Sequence, residues 1–309
     1  MAVGPASVAR ASLAGRATSR RSVLERESVF SWVMLAPGVL FLLAFVAYPF
    51  VYGIFISLQD RRVASPGTFV GLANFIAQAH DAVFWQVTRN TFVYTIVATV
   101  LKMLGGLAMA LVINQQFRGK NLVRALLLLP FIVPTVLSTV AWMWIFDPTF
   151  SVINWTLRHT GLMTENFSWL GNKTLAMVSI IIVNTWRGLP FYGITLLAGL
   201  QTISPDLYEA AAIDGASVTQ RFWHITMPVL KPVLIIVTMF SVIFTFSDFQ
   251  LPYILTHGGP ANATHLFATY AFDIGMSAGQ LGMGAAVALA MLPALGLLIV
   301  ALTLYLRRE

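Results

Sequence analysis

Long apolar runs alternate with short polar stretches along this chain. Six runs, at residues 30–58, 91–113, 122–146, 175–200, 229–255 and 281–306, reach or exceed the roughly 20 apolar residues that cross the hydrocarbon of a bilayer. Each is expected to form a transmembrane helix. Every run but the second holds proline: Pro37 and Pro49, Pro130 and Pro134, Pro190, Pro232 and Pro252, and Pro293. Proline is tolerated in such helices where neighbouring helices or cavity water satisfy the freed backbone groups. So many interrupted spans point to a bundle around a pathway rather than to passive anchors.

Composition strengthens this picture. Hydrophobic residues make up 58% of the 309 positions and charged residues 10%, against about 25% charged in a soluble domain. The formal net charge is +7. Nucleic-acid binding needs Lys and Arg clustered on an exposed face, whereas here they sit mostly beside the apolar runs, so no nucleic acid is expected as a partner. The absence of cysteine excludes disulfides, thiolate chemistry and cysteine metal sites.

Cytoplasmic loops of membrane proteins collect Lys and Arg. With the N-terminus inside, 12 of these residues fall on segments 1–29, 114–124, 201–231 and 307–309, and 5 on the opposite side. The expected fold class is an all-α integral membrane protein with six transmembrane helices and both termini cytoplasmic. Residues 1–29, with Arg10, Arg16, Arg20, Arg21 and Arg26, read either as a transit-peptide-like leader or as a disordered cytoplasmic tail. The run that follows is too long for a signal-peptide core and is expected to remain as an anchor.

A polar, helix-forming feature between two spans is EAAAIDGASVTQRFWHITMP, residues 209–228. Ser204, Pro205 and Asp206 before it suit an N-cap, a first helical position and a favourable end of the helix dipole. Leu207, Ala210, Ala211 and Ile213 form a small-residue face, with Tyr208 beside it. Gly215 is expected to end or bend the helix, Ser217 to cap a second short helix carrying Phe222 and Trp223, and Pro228 to mark the return to the membrane. Such a helix–turn–helix either fits a groove on a partner or anchors the loop among headgroups.

The pattern Glu209-Ala210-Ala211, three residues, Gly215, nine residues, Ile225-x-Met227-Pro228 resembles the EAA motif of permease subunits in bacterial binding-protein-dependent ABC importers. The family pattern ends in Leu-Pro, from which Met227 departs. The stretches SPDLYEAAAIDGAS, LLLLPFIVPTVLSTVAWMWIF and LPYILTHGGP resemble the carbohydrate branch of that family, specifically its MalF-type subunit. The resemblance covers residues 30–306, the expected permease domain of type I importer fold. It implies that residues 201–228 form a cytoplasmic coupling loop, with Glu209, Ala210, Ala211, Asp214 and Gly215 seated in a cleft of a separate ATPase subunit. It also implies the other partners: a second, MalG-type permease subunit, two ATPase subunits, an extracytoplasmic solute-binding protein, and a location in the bacterial inner membrane. The chain carries no nucleotide chemistry of its own. Its only Gly-Lys pair, Gly119-Lys120, has no glycine five residues earlier and is followed by Asn121, so no P-loop is present. ATP and Mg are therefore expected to be bound by the partner ATPase, and no cofactor by this chain.

Ionisable groups inside apolar spans are costly, about 2.5–3.5 kcal/mol each on insertion scales. Three occur here. Lys102 lies near the middle of the second run, where its long stem can snorkel. Arg187 and Asp248 lie in the fourth and fifth runs, where they either pair with each other or line a polar pathway. The segments NTWRGLPF and FTFSDF resemble the two that form the MalF-type sugar site, which implies substrate contacts from Asn184, Arg187, Gly188 and Phe191, and from Phe244, Thr245 and Asp248. Amide, hydroxyl and carboxylate groups can bind sugar hydroxyls, and an aromatic ring can stack on a pyranose. Phe244, Asp248 and Leu251, spaced i, i+4, i+7, are expected on one helix face. The family pattern is uncharged at positions 187 and 248, so a phosphorylated polyol such as glycerol phosphate stands beside a sugar as a reading of the substrate. Trp142 and Trp144 read as interface-belt residues or as ligand contacts.

Two other function classes fit the sequence less well. A stand-alone ion-coupled transporter needs no coupling loop and shows internal repeats, and none is visible. An intramembrane enzyme needs paired acids or clustered histidines, whereas His80, His159, His224, His257 and His265 are scattered through loops and expected to be solvated.

Overall fold

The structure, a computed structural model, describes residues 27–307. The expected N-terminal tail therefore lies outside the described residues, save for residues 27–29, which open the first helix. The chain divides into two compact units, residues 1–52 and 53–309.

In the first unit, α1 (Glu27–Leu42) continues through a π-helical turn at Leu43–Ala47 into the start of α2 (Tyr48–Ser57), whose residues 53–57 belong to the second unit. Ring contacts one turn apart run along it, Phe41 with Phe45 at 4.8 Å and Tyr48 with Tyr52 at 6.1 Å. Pro37 sits inside α1 without ending it.

After the end of α2, the second unit has a pair of two-residue strands, β1 (Gln59–Asp60) and β2 (Thr68–Phe69), antiparallel with Gln59 opposite Phe69. Helices follow: α3 (Ala73–Ala79), α4 (Ala82–Asn114), α5 (Lys120–Ile132), α6 (Thr135–Ile145), α7 (Val152–His159) and α8 (Lys173–Leu200). After them come α9 (Pro205–Ile213), α10 (Val218–Arg221), α11 (Met227–Phe246), α12 (Gln250–Thr256), α13 (Phe267–Phe272) and α14 (Leu281–Arg307). A π-helical turn at Phe222–Thr226 joins α10 to α11.

Among the described residues, five helical stretches are long and apolar enough to cross a bilayer, and α5 with α6 makes a sixth if the bent pair is one span. The expectation of six spans survives, but three of their outlines change. The second span begins at Ala82 rather than Thr91, because Asp81 caps it by accepting from Val83 N at 2.9 Å. The polar side chains of its first turns are used: Gln86 donates to Ala261 O, and Asn90 to the carbonyls of Asn262 and His265. The third span is broken, α5 and α6 meeting at 96°. Pro134 has no N–H to give a helix and pushes Val133 into extended backbone, φ −67° and ψ 130°. The fifth span ends at Phe246, not Leu255, for a reason that belongs to the site.

Helices α4, α8 and α11 pack against one another, with α5 on α8, α12 on α6, and α14 on α13 and α11. Lipid is as apolar as leucine, so such helices associate through close packing, and small residues allow it. Here glycines make the seam. A Cβ on Gly106 of α4 would collide with Tyr192 Cβ, and one on Gly193 of α8 would sit 2.7 Å from Met109 Sδ. The core forms in three clusters. One joins Tyr94, Phe146, Ile180, Val183 and Leu251, a second joins Tyr192, Leu196, Leu230 and Val237, and a third joins Val87, Phe246, Phe267 and Val287. The polar network described next lies where α4, α8 and α11 meet.

Candidate functional site

The break after α11 builds the site. Ser247 leaves helical geometry at φ −92° and ψ 8°, and the Asp248 carboxylate turns back to accept from Leu251 N at 3.4 Å, in the first turn of α12. Its other oxygen, Oδ2, accepts from Tyr94 Oη at 2.8 Å and from Asn184 Nδ2 at 3.0 Å. Asn184 in turn accepts through Oδ1 from Lys102 Nζ at 2.9 Å, and Lys102 also donates to Thr245 Oγ1 at 2.6 Å. The Asn184 amide can be oriented only one way, since it must accept from an ammonium and donate to a carboxylate. The chain Tyr94–Asp248–Asn184–Lys102–Thr245 thus ties α4, α8 and α11 together. Its members are buried: Lys102 is 4% exposed, Asp248 9% and Tyr94 fully enclosed. Buried charges persist only when paired or fully hydrogen-bonded, which this network accomplishes.

Beside the network lies a cavity of about 360 Å³. All seven residues singled out as substrate contacts line it: Asn184, Arg187, Gly188, Phe191, Phe244, Thr245 and Asp248. Lys102, Phe131, Ser241, Ser247, Phe249 and Gln250 complete the wall. Phe131 of α5 stacks on Phe191 at 6.3 Å and 17°, so the broken third span contributes an aromatic plate. Phe244 is 65% exposed and presents its ring freely.

Two expectations are corrected, and one open alternative is decided. Lys102 does not snorkel, because two acceptors, Asn184 and Thr245, hold its ammonium inside the bundle. Arg187 and Asp248 do not pair: Asp248 is occupied by Tyr94, Asn184 and Leu251 N, and Arg187 has no hydrogen-bond or ion-pair partner among the described residues. Phe244, Asp248 and Leu251 do not share a helix face, because the helix stops between the first two. Leu251 is fully buried in the core with Tyr94 and Ile180. The two tryptophans also part company. Trp142 packs on Phe146 and Trp186, whereas Trp144 is 67% exposed, and neither lines the cavity.

Sequence reasoning placed Lys102 outside the site and passed over Tyr94 altogether. Gly188 holds the clue to Lys102. A Cβ there would collide with Lys102 Cδ, so the glycine is what lets the lysine stem lie along α8. Gly188→Ala is expected to lower stability by about 1–3 kcal/mol, the usual range for overpacking. Denaturant unfolding of the purified chain checks this, and an unchanged midpoint would show that the stem has room to move.

The segment 201–228 forms a second constellation. Ser204 caps α9 by accepting from Asp206 N at 3.3 Å. At its far end Ala216 N donates to Ala211 O at 2.8 Å and Gly215 N to Ala212 O at 3.1 Å, with Gly215 at φ +80°. This pair of bonds around a left-handed residue is a Schellman motif, and it needs glycine or asparagine at that position. Ser217 and Gln220 then form a capping box for α10, as the serine's position predicted. Tyr208 Oη lies 2.8 Å from Thr226 Oγ1 and pins α9 to the helix that follows. Ala211, Asp214 and Gly215 line a recess with Arg221 and His224, whereas Glu209 and Ala210 stand exposed on α9. Around them Ile213 is 87% exposed and Val218 74%, a bare apolar surface.

The histidines stay apart. His80, His159 and His224 each bond a carbonyl one helical turn back, and no three of His, Asp and Glu assemble as metal ligands among the described residues. His265 departs from the solvated expectation. It is buried, packs over Gly258 and lies 3.2 Å from Thr269 Oγ1, and burial holds its imidazole below the usual histidine range.

Comparison with known proteins places these two constellations in context. Residues 102–308 match the family described as "Binding-protein-dependent transport system inner membrane component". The chain is 36% identical over 265 residues to the trehalose/maltose transport system permease protein MalF of Thermococcus litoralis, covering 85% of this chain and 89% of that one. It is 32% identical over 316 residues to the diacetylchitobiose uptake system permease protein DasB of Streptomyces coelicolor, covering 99% and 96%. Its fold matches, with a TM-score of 0.79 at 20% identity, a chain of a crystallised bacterial ABC transporter involved in import of the acidic polysaccharide alginate, covering 92% of this chain and 97% of that one.

Proposed function

The chain belongs to the family of inner membrane components of binding-protein-dependent transport systems, and on that premise we propose that it forms half of the translocation pathway for a carbohydrate in an ATP-driven importer. The observation that carries this reading is the cavity beside the Tyr94–Asp248–Asn184–Lys102–Thr245 network. It combines amide, hydroxyl and charged groups with the rings of Phe131, Phe191 and Phe244. Such a mixture suits a sugar, whose hydroxyls need directional partners and whose ring faces are apolar. Relatives named for trehalose/maltose and diacetylchitobiose transport support the same class.

In this reading Asn184, Arg187, Gly188, Phe191, Phe244, Thr245 and Asp248 bind substrate, and Lys102 positions Asn184 and Thr245. The loop 201–228 faces the cytoplasm, and Glu209, Ala210, Ala211, Asp214 and Gly215 seat α9 on a separate ATPase subunit, which binds ATP and Mg. The bare Ile213 and Val218 surface supports an occupant there. A second permease subunit completes the pathway in the bacterial inner membrane, and an extracytoplasmic binding protein delivers the sugar.

Reconstitution tests the reading. The chain purified alone is expected to hydrolyse no ATP. Assembled in proteoliposomes with the second permease, the ATPase subunits and the binding protein, it is expected to take up a labelled sugar, chosen by screening that binding protein, only with ATP inside. Uptake driven by an ion gradient without ATP would refute the reading.

A further inference from the structure

Arg187 is the charged group of the cavity with no hydrogen-bond or ion-pair counterpart among the described residues. Asp248 takes its hydrogen bonds from Tyr94, Asn184 and Leu251 N, and Lys102 gives its own to Asn184 and Thr245. Arg187, partly exposed on α8 three residues after Asn184, lines the cavity with no acceptor among the described residues. A guanidinium offers a planar fork that matches a carboxylate with two parallel hydrogen bonds. Charges inside apolar spans are rare and mark function by default. This one is left open toward the space where a substrate would sit.

We propose, resting on the carbohydrate reading above, that the cavity takes an acidic carbohydrate: a sugar unit bearing one carboxylate, which Arg187 grips bidentately. The hydroxyls of that sugar then meet Asp248 and Asn184, and its ring lies against Phe244 or the Phe131–Phe191 plate. A monoanion fits better than a phosphate dianion. Asp248 shares the wall, so a second negative charge adds repulsion, and the other cation there, Lys102, is already engaged by two protein acceptors. The competing explanation is that a carboxylate of the second permease subunit neutralises Arg187, which would leave the cavity indifferent to the charge of the sugar.

Equilibrium binding of methyl glucuronoside and of neutral methyl glucoside to the assembled importer separates these. A charge-assisted pair in a desolvated site corresponds to about tenfold tighter binding or more for the acid. The acid-over-neutral ratio is expected to fall to about one in Arg187→Gln and to survive in part in Arg187→Lys. Equal binding of the two sugars by the wild type would overturn the acidic preference while leaving the carbohydrate reading standing. A preference that persists in Arg187→Gln would overturn the role of Arg187. Binding of neither sugar would overturn both. If Arg187→Gln fails to assemble, the wild-type ratio and the Arg187→Lys variant still decide.

Discussion

Replacing Gly215 with valine is expected to cut sugar-stimulated ATP hydrolysis by the assembled importer to below about a tenth of the wild-type rate, whereas Gly215→Asn keeps most of it. The difference is conformational. Gly215 sits at φ +80°, and nothing lies within 4 Å of where a Cβ would be. Valine therefore meets no neighbour, but a β-branched residue in left-handed backbone is a genuine outlier, and the left-handed penalty is about 1–2 kcal/mol even for ordinary residues. The cheapest relief is to open the Schellman motif, which frees the Ala216–Ala211 and Gly215–Ala212 bonds and lets α9 swing on its tether to α10. Asparagine visits the left-handed region and preserves both bonds. If α9 transmits closure of an ATPase pair to the spans, its angle is what matters, and the two substitutions separate. The measurement is ATPase activity with and without sugar-loaded binding protein, on complexes checked for intact assembly. Wild-type stimulation in Gly215→Val would show that coupling does not pass through this turn.

The local features of that loop are legible in the sequence alone. Ser204, Gly215 and Ser217 act as caps and terminator because capping is decided by the residue and its immediate neighbours. The apolar runs likewise mark their own spans. What spacing could not reach is what depends on a partner far along the chain. The i, i+4, i+7 argument for Phe244, Asp248 and Leu251 presumes an unbroken helix, and the break exists because Asp248 is drawn to Tyr94, 154 residues away in sequence. Lys102 looks like a snorkelling residue when read alone. It becomes a site residue only once Gly188 makes room for its stem and Asn184 and Thr245 offer acceptors. Arg187 and Asp248 attracted attention as isolated charges in greasy spans, and both do line the cavity. Their pairing failed because charge alone ranks partners by sign, whereas the fold ranks them by reach, and neutral Tyr94 and Asn184 reach Asp248 first.

That ranking predicts the outcome of two double-mutant cycles. Asp248→Ala is expected to destabilise the chain by about 3–5 kcal/mol, the range seen when one member of a buried charged network is removed. It strands Tyr94 Oη and Asn184 Nδ2 in the interior and removes the acceptor at the start of α12. Lys102→Met is expected to be nearly as severe, since it leaves Asn184 Oδ1 and Thr245 Oγ1 without their donor. Lys102 and Asp248 are joined through a single amide, so their effects should not add, and an interaction energy of about 0.5–3 kcal/mol is expected from the cycle. Arg187 and Asp248 share no hydrogen bond. The Arg187→Leu and Asp248→Asn cycle should therefore come out additive within about 0.5 kcal/mol, and the double variant should not recover the uptake that either single change removes. Denaturant unfolding of the purified chain supplies the energies, and uptake in proteoliposomes supplies the functional arm. Strong coupling between Arg187 and Asp248, with uptake restored in the double variant, would mean that the two charges serve as scaffolding for each other and that the sugar is held elsewhere.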